Sequence, residues 1–291
     1  LKVFNVPKNI LPEVKDSSFE YGNISKDILG KSIPILSILG DQQAAAIGQS
    51  CFKEGTIKTT YGTGAFLILN TGQKKIKSKS RLLSTICYKL NNKVTYGLEG
   101  SIFNTGTIIQ WMRDNLQFFD NAEETETHSR SIKDNNDLFF IPAFTGLGCP
   151  YWDPSAKGAI YGITRDTNKS MLIRAALESV ALQTNDIFSA MSADGIKPSL
   201  LRVDGGMTNN LWLMQYLANI LNVKVEKPKI TETTALGTAM LSAFHYGEFS
   251  SLENISRAWE LDKRFEPKME LSQRNNKIKK WKYYIGQTLT K

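Results

Sequence analysis

The sequence predicts an α/β domain built on one mixed sheet flanked by helices, and two features of its 291 residues carry that prediction. From Gly55 onward, four runs rich in β-branched, aromatic and aliphatic residues (TIKTTYG, AFLILNTG, RLLSTICYKL and KVTYGLEG) are separated by turn signals at Gly62–Gly64, TGQKK and NNK. They read as an antiparallel meander. After them, helical patterns alternate with short apolar strands, the order that lays parallel strands side by side with helices on their faces. With 41 % apolar residues the chain can bury a substantial core.

The elements follow in order. Residues 1–30 are mixed and interrupted by Pro7 and Pro12, and with Leu1 rather than Met at the start they read as the tail of something upstream. Ile33–Leu39 is an unbroken apolar run expected to be a buried strand. AAAIGQSCF, from Ala44, reads as a small-residue helix able to pack closely. Past the four β-runs, residues 101–119 read as a helix with Ile108, Ile109, Trp111 and Met112 on one face. Asp120–Asp137 is polar and reads as surface, including His128. Leu138–Phe144 is a strand, and TGLGCPYWDP after it has the composition of a rigid packed turn at a site. Lys157–Thr164 is short and apolar. Asn168–Ala193 carries the clearest helical spacing, with Asn168 placed to cap it. Leu200–Gly206 reads as a buried strand running into a glycine pair, and Met207–Asn222 as the helix after it, with Asn210 in its first turn. Lys224–Pro228 is a further strand. Thr231–Gly247 is a small-residue helix with His245 at its C-terminal end, and Phe265–Lys291 an amphipathic closing helix with Trp281 and Tyr284.

Composition narrows the function. The net charge of +8 comes with lysine clusters at Lys74–Ser80 and Asn276–Tyr284. No aromatic RNA-binding signature, zinc-finger spacing or long basic stripe accompanies them, so they read as solvated surface and not as a nucleic-acid interface. No apolar run reaches the length of a membrane span. The three cysteines are far apart in sequence and form no metal or redox motif, which points to free thiols and a cytoplasmic location.

Two stretches carry candidate chemistry. In the first, Asp41 follows an apolar run and precedes two amides, Gln42 and Gln43. A carboxylate at a strand end can orient and deprotonate an alcohol, although an N-cap aspartate fits the same position. Downstream, Gly62-Thr63-Gly64 is a turn whose backbone and hydroxyl can approach a phosphate, or a plain β-turn. Acid followed by phosphate turn suggests phosphoryl transfer to an alcohol. In the second, strand, Gly205-Gly206 and helix N-terminus form a layout in which free N–H groups favour an anion.

GDQQAAAIGQ, KEGTIKTTYGTGAFLILNTG, LEGSIFNTGTIIQWMRD, IPAFTGLGCPYWDP, GAIYGITR and LRVDGG resemble, in order, segments of the glycerol kinases of the FGGY carbohydrate kinase family. The resemblance covers essentially the whole chain. It implies one lobe of the actin, hexokinase and heat-shock ATPase architecture (ribonuclease H-like). It also implies ATP and Mg²⁺ as cofactors, glycerol as the acceptor and a homo-oligomer as one option. Asp41 would be the catalytic base, with Gln42 and Phe66 contacting glycerol. Thr63 would lie on the phosphate side of the nucleotide, with Gly106 and Gln110 as further contacts and Gly206 and Asn210 at the adenine–ribose end. No metal ligand is assigned. The resemblance divides the chain into residues 1–50 as the end of a first, substrate-binding lobe, 51–247 as the nucleotide-binding lobe and 248–291 as a helical extension.

The chain also departs from the pattern. The first lobe is missing, so an upstream lobe is needed to complete the site and the chain is expected to be inactive alone. Met171 replaces a residue that is usually polar. The short GKS loop (Gly30–Ser32) lacks the arginine of members that bind a sugar bisphosphate, and residues 1–40 contain no histidine for phosphorylation-based control. A non-catalytic nucleotide-binding remnant, or a kinase for another polyol or sugar, remain the alternatives.

Overall fold

A computed structural model describes residues 1–290; Lys291, the last residue of the expected closing helix, lies outside them. The elements are β1 (Ser18–Ile24), α1 (Lys26–Leu29), β2 (Ile33–Ser37), α2 (Asp41–Gly48), β3 (Thr56–Tyr61), β4 (Ala65–Gly72), β5 (Leu83–Leu90), β6 (Lys93–Ile102), α3 (Gly106–Asp114), α4 (Glu124–Arg130), β7 (Phe139–Ile141), β8 (Ala159–Tyr161) and α5 (Lys169–Ala193). They continue as β9 (Leu200–Asp204), α6 (Leu211–Leu221), β10 (Lys224–Pro228), α7 (Thr233–Tyr246), α8 (Leu252–Ala258), β11 (Leu261–Phe265) and α9 (Leu271–Thr288).

Seven strands form one mixed sheet in the order β11-β10-β9-β3-β4-β6-β5. β3, β9 and β10 run parallel; the other pairings are antiparallel. The expected mixed sheet is present, but the four β-runs are not a simple meander. β4 pairs with β6, and β5 lies outside it at the edge. The lysine-rich segment linking β4 to β5 makes that crossover and is pinned at its far end, where Asp194 accepts hydrogen bonds from Ser78 Oγ, Lys79 N and Ser80 Oγ.

Strand side chains alternate between faces, and here the faces differ in chemistry. One buries Ile57, Tyr61, Leu67, Leu69, Leu98, Leu201 and Val203 under α5 and α6. Each such apolar side chain stabilises the fold by roughly 1.5–3 kcal/mol. Tyr61 meets Thr184 of α5, hydroxyl to hydroxyl, at 3.0 Å. α5 begins as expected, with the Asn168 side chain accepting from Met171 N. The other face presents Lys58, Glu99, Arg202 and Asp204 to a polar layer supplied by α2 and the residues after it. Gln42 meets Lys58, Gln43 donates to Glu99 at 3.1 Å, and Gln49 donates to Asp204 at 2.9 Å.

α2 is held against that face by α7. A Cβ on Gly237 would stand 1.8 Å from the Ala44 carbonyl, and one on Gly48 would stand 2.1 Å from the Thr233 carbonyl. Only glycines let the two backbones touch. Gly237→Ala must therefore push the helices apart, and overpacking of this kind costs about 1–3 kcal/mol. A lowered denaturation midpoint with unchanged slope is the expected result.

Several expectations are corrected. β2 is not buried; Ile35 is 37 % exposed, because β2 pairs only with β1 in a separate two-stranded sheet. The helix expected over residues 101–119 is shorter, because β6 extends to Ile102 and α3 starts at Gly106; Ile108, Ile109 and Met112 are buried as foreseen. The polar stretch before Leu138 contains α4, and the region after Gly247 contains α8 and β11. His245 lies in the last turn of α7, as expected, and its Nδ1 meets Ser18 Oγ at 3.0 Å. Among the described residues no helix is long and apolar enough to cross a membrane.

α9 closes the molecule. Trp281 is fully buried and donates from Nε1 to Asp186 of α5 at 2.7 Å. Burial raises the Asp186 carboxyl from 3.8 to about 7. The folded chain thus holds a proton between those values that the unfolded chain releases, so stability falls as pH rises through that window. Asp186→Asn keeps an acceptor for Trp281 without a charge. It is expected to raise the melting temperature at pH 8 by several degrees and to change it little below the lower value, on the order of 1 °C.

Candidate active site

The β3–β4 hairpin turn, Gly62–Gly64, is the centre of the site. Gly62 N–H donates to Gly64 O at 2.9 Å and closes the turn. Both inner carbonyls point at the N-terminus of α3. Gly62 O accepts from Gly106 N (3.0 Å), and Thr63 O accepts from Thr105 N (3.0 Å) and Thr107 N (3.1 Å). The hydroxyls of Thr105 and Thr107 add bonds of 2.9 Å each to the same two carbonyls. Hairpin and helix are thereby locked together, and a Cβ on Gly106 would stand 2.5 Å from Gly62 O. With its carbonyl turned inward, exposed Thr63 has neither amide nor hydroxyl donating a hydrogen bond among the described residues.

β9 supplies the next wall. Gly205 has φ +88°, and a Cβ there would meet Tyr61 O at 2.4 Å; a Cβ on Gly206 would meet nothing within 4 Å. The first glycine is needed for packing, and the second faces open space. The chain does not enter α6 directly, as expected, but passes through a 3₁₀ turn, Gly206–Asn209. Asn210 is then the N-cap of α6 instead of a first-turn residue, accepting from Leu213 N at 2.9 Å. Glu126 accepts from Leu211 N at 2.8 Å. The Leu211 and Leu213 amides at the N-terminus of α6 are thus satisfied by side chains, and the amides of Gly206 and Met207 in the turn before it donate no hydrogen bond among the described residues.

α4 forms the last wall. Its Glu124 carboxylate reaches back to Asp120 N (3.0 Å) and Asn121 N (2.9 Å). Thr125 is buried and accepts from Asn210 Nδ2 at 3.1 Å. Together these elements enclose a cavity of about 390 Å³ lined by Thr63, Gly106, Gln110, Gly206 and Asn210. All five residues expected at a nucleotide therefore share one cavity. Its apolar wall includes Ile109, Leu177 and Met207, and its rim carries Arg113 and Glu126. Those last contributors went unread in the sequence. The spacing Asn121-x-x-Glu124 is that of a capping box and was the available sign of α4.

Asp41, Gln42 and Phe66 do not enter that cavity; they stand on the α2 side of the sheet. Asp41 is the first residue of α2, with Gly40 at the N-cap, so the N-cap alternative is set aside. Its exposed carboxylate accepts from Gln42 N at 2.8 Å and Gln42 Nε2 at 3.2 Å. Phe66 pairs with Thr60 across the hairpin and is 49 % exposed. The TGLGCPYWDP loop is packed, as expected, but lines neither group. It lies along the end of β6, where Cys149 N–H donates to Ser101 O at 3.2 Å. All three cysteines are buried and free, and burial pushes each thiol up to about 12. None supplies a thiolate nucleophile at neutral pH.

The C-terminal domain of the FGGY family of carbohydrate kinases matches residues 57–246. The chain belongs to that family. Glycerol kinase of Alteromonas mediterranea is 49 % identical over 286 residues, covering 98 % of this chain and 58 % of that protein. Glycerol kinase 2 of Thermotoga maritima is 50 % identical over 290 residues, covering 99 % and 58 %. The crystal structure of Plasmodium falciparum glycerol kinase with ADP superposes with a TM-score of 0.94 at 38 % identity, covering all of this chain and 59 % of that one. A ligand-bound xylulose kinase from Lactobacillus acidophilus shares the fold, with a TM-score of 0.84 at 22 % identity. This FGGY kinase chain thus spans about 58 % of the length of the curated relatives it matches. It corresponds to their C-terminal portion.

Proposed function

We propose that the chain is the nucleotide-holding part of an ATP-dependent glycerol kinase that forms glycerol 3-phosphate. The observation that carries the reading is the division of groups about one hairpin. Five candidate nucleotide contacts line the cavity on one side, and the Asp41–Gln42 pair stands on the other. Thr63, at the tip, offers free donors between them. Identity near 50 % to glycerol kinases along nearly the whole chain supports glycerol over other acceptors.

In this reading the adenine and ribose occupy the end of the cavity near Gly206 and Asn210. Gly106 and Gln110 line its middle, and Thr63 meets the phosphates. Gln42 and Phe66 orient glycerol. Asp41 accepts the hydroxyl proton as that oxygen bonds to the γ-phosphorus; the bridging P–O bond breaks and ADP leaves. Such a reaction depends mostly on positioning and charge neutralisation. Among the described residues no three histidine, cysteine or carboxylate side chains gather around a metal position. The fit is to Mg²⁺ carried in on the triphosphate, where it would neutralise the charge that develops on the phosphates.

Residues 1–50 belong, in this proposal, with an upstream lobe that closes over glycerol, 51–247 with the nucleotide lobe and 248–291 with a helical extension. Cytoplasm is the compartment that suits three free thiols. The test joins the upstream segment of the Alteromonas mediterranea glycerol kinase to this chain and assays ADP release with glycerol, other polyols and ketopentoses. Preferential turnover of glycerol is expected. Preference for a pentose, or no turnover by a folded, ADP-binding chimera, contradicts the proposal.

A further inference from the structure

Lys58 is a charged residue where strands rarely place one. It lies in β3, near the middle of the seven-stranded sheet, and is fully buried. Its strand neighbours in register are Ile68 on β4 and Arg202 on β9. The Arg202 charge is already engaged. It pairs with Glu226 at 3.1 Å, donates to the Gln49 and Ser50 carbonyls and stacks on Trp259 with the guanidinium 3.8 Å from the ring centre. The acids facing Lys58 are engaged as well. Asp204 accepts from Gln49 (2.9 Å) and Thr233 (2.7 Å), and Glu99 accepts from Gln43 (3.1 Å). The Lys58 ammonium makes its side-chain hydrogen bond to Gln42 Oε1.

That bond has a consequence for the acid beside it. A side-chain amide has one accepting end and one donating end, and an ammonium can only donate. With Oε1 held by Lys58, the Nε2 end is turned to Asp41, where it donates to Oδ2 at 3.2 Å. The Gln42 backbone N–H holds Oδ1 of the same carboxylate at 2.8 Å. We propose that Lys58 is a positioning residue for the Asp41–Gln42 pair: its buried ammonium fixes the Gln42 amide so that the nitrogen end orients the Asp41 carboxylate. Lys58 itself is too deep to touch a substrate. The inference rests on the reading of Asp41 as the base.

Burial lowers the Lys58 ammonium to about 8, against the pull of the Asp204, Asp41 and Glu99 carboxylates. The charge is therefore present at neutral pH and lost within reach of a titration. Nuclear magnetic resonance on ¹⁵N-labelled chain reads both partners, with Gln42→Leu assigning the amide signals. In the wild-type chain the Gln42 side-chain amide protons are expected to be protected from solvent and to shift as Lys58 deprotonates. In Lys58→Met, which keeps the apolar stem, they move to free-glutamine positions while circular dichroism and melting temperature show a folded chain. Reciprocally, Gln42→Leu removes the acceptor, and Lys58 loses its proton at lower pH than in wild type.

In the chimera completed by an upstream lobe, Lys58→Met lowers kcat about a hundred-fold with nucleotide KM unchanged, the scale of a small misplacement of a reacting group. A lysine with only a structural role would lower stability without moving the Gln42 signals. Unchanged Gln42 signals in folded Lys58→Met overturn the inference. Should that variant fail to fold, an unchanged Lys58 titration in Gln42→Leu overturns it. Absence of turnover in every chimera counts against the proposed function instead, because the amide and ammonium signals are read on the chain whether or not it turns over.

Discussion

Asp41→Asn is expected to remove about 10²–10⁴ of glycerol turnover from the chimera while leaving Mg-ADP affinity within about two-fold. The asparagine keeps the length of the side chain and an oxygen that can accept from Gln42 N, so α2 keeps its first turn. What it loses is the ability to take a proton. The cavity proposed for the nucleotide lies on the other side of the hairpin and does not include Asp41, which is why binding is expected to be spared. Single-turnover phosphoryl transfer measured alongside ADP calorimetry separates the two effects. Equal losses of turnover and affinity would show that Asp41 acts on the fold of the site and not on the proton.

The second large effect concerns the chain by itself. Without an upstream lobe, glycerol-dependent ADP release is expected to fall on the order of 10³-fold or more below that of the chimera, because positioning and exclusion of water come from closing two walls around the reactants. The structure gives this expectation a local form. Asp41 is exposed, Phe66 is half-exposed, and Ile35 of β2 and Ile38 just after it face solvent. Turnover by the isolated chain comparable to the chimera, measured at equal concentration, would contradict it.

Much of the fold was legible because its signals are local. The hairpin strands and β9 declare themselves by β-branched and aliphatic runs ended by glycines. α5 declares itself by helical spacing and its Asn168 cap. The relations that went unread are non-local. An apolar run says that Ile33–Leu39 needs cover but not what covers it, and β2 is left half-bare. Nothing within β4, β5 and β6 tells which pairs with which; the link pinned by Asp194 decides it. α4 was hidden because its buried positions, Thr125 and Ser129, are polar. The site was legible to a similar extent. Glycines and short motifs marked the five cavity residues, whereas Arg113, Glu126 and Met207 enter only because α3, α4 and the 3₁₀ turn meet in space. Lys58 looked like one more lysine in a lysine-rich chain until the strand register placed it in the interior.

The most direct test of the account is calorimetric titration of Mg-ADP into the isolated chain and into Gly206→Asp. Gly206 faces open cavity space, so the substitution leaves the packing of Gly205 against Tyr61 untouched. It places a side chain and a charge where the adenine–ribose end of the nucleotide is expected, so binding would have to displace that side chain or bury an unpaired carboxylate against the base and sugar. Saturable binding by the wild-type chain, weakened at least about a hundred-fold in the folded variant, is the predicted result. Absence of binding by a folded wild-type chain, or equal binding by both, would contradict the assignment of the cavity to a nucleotide.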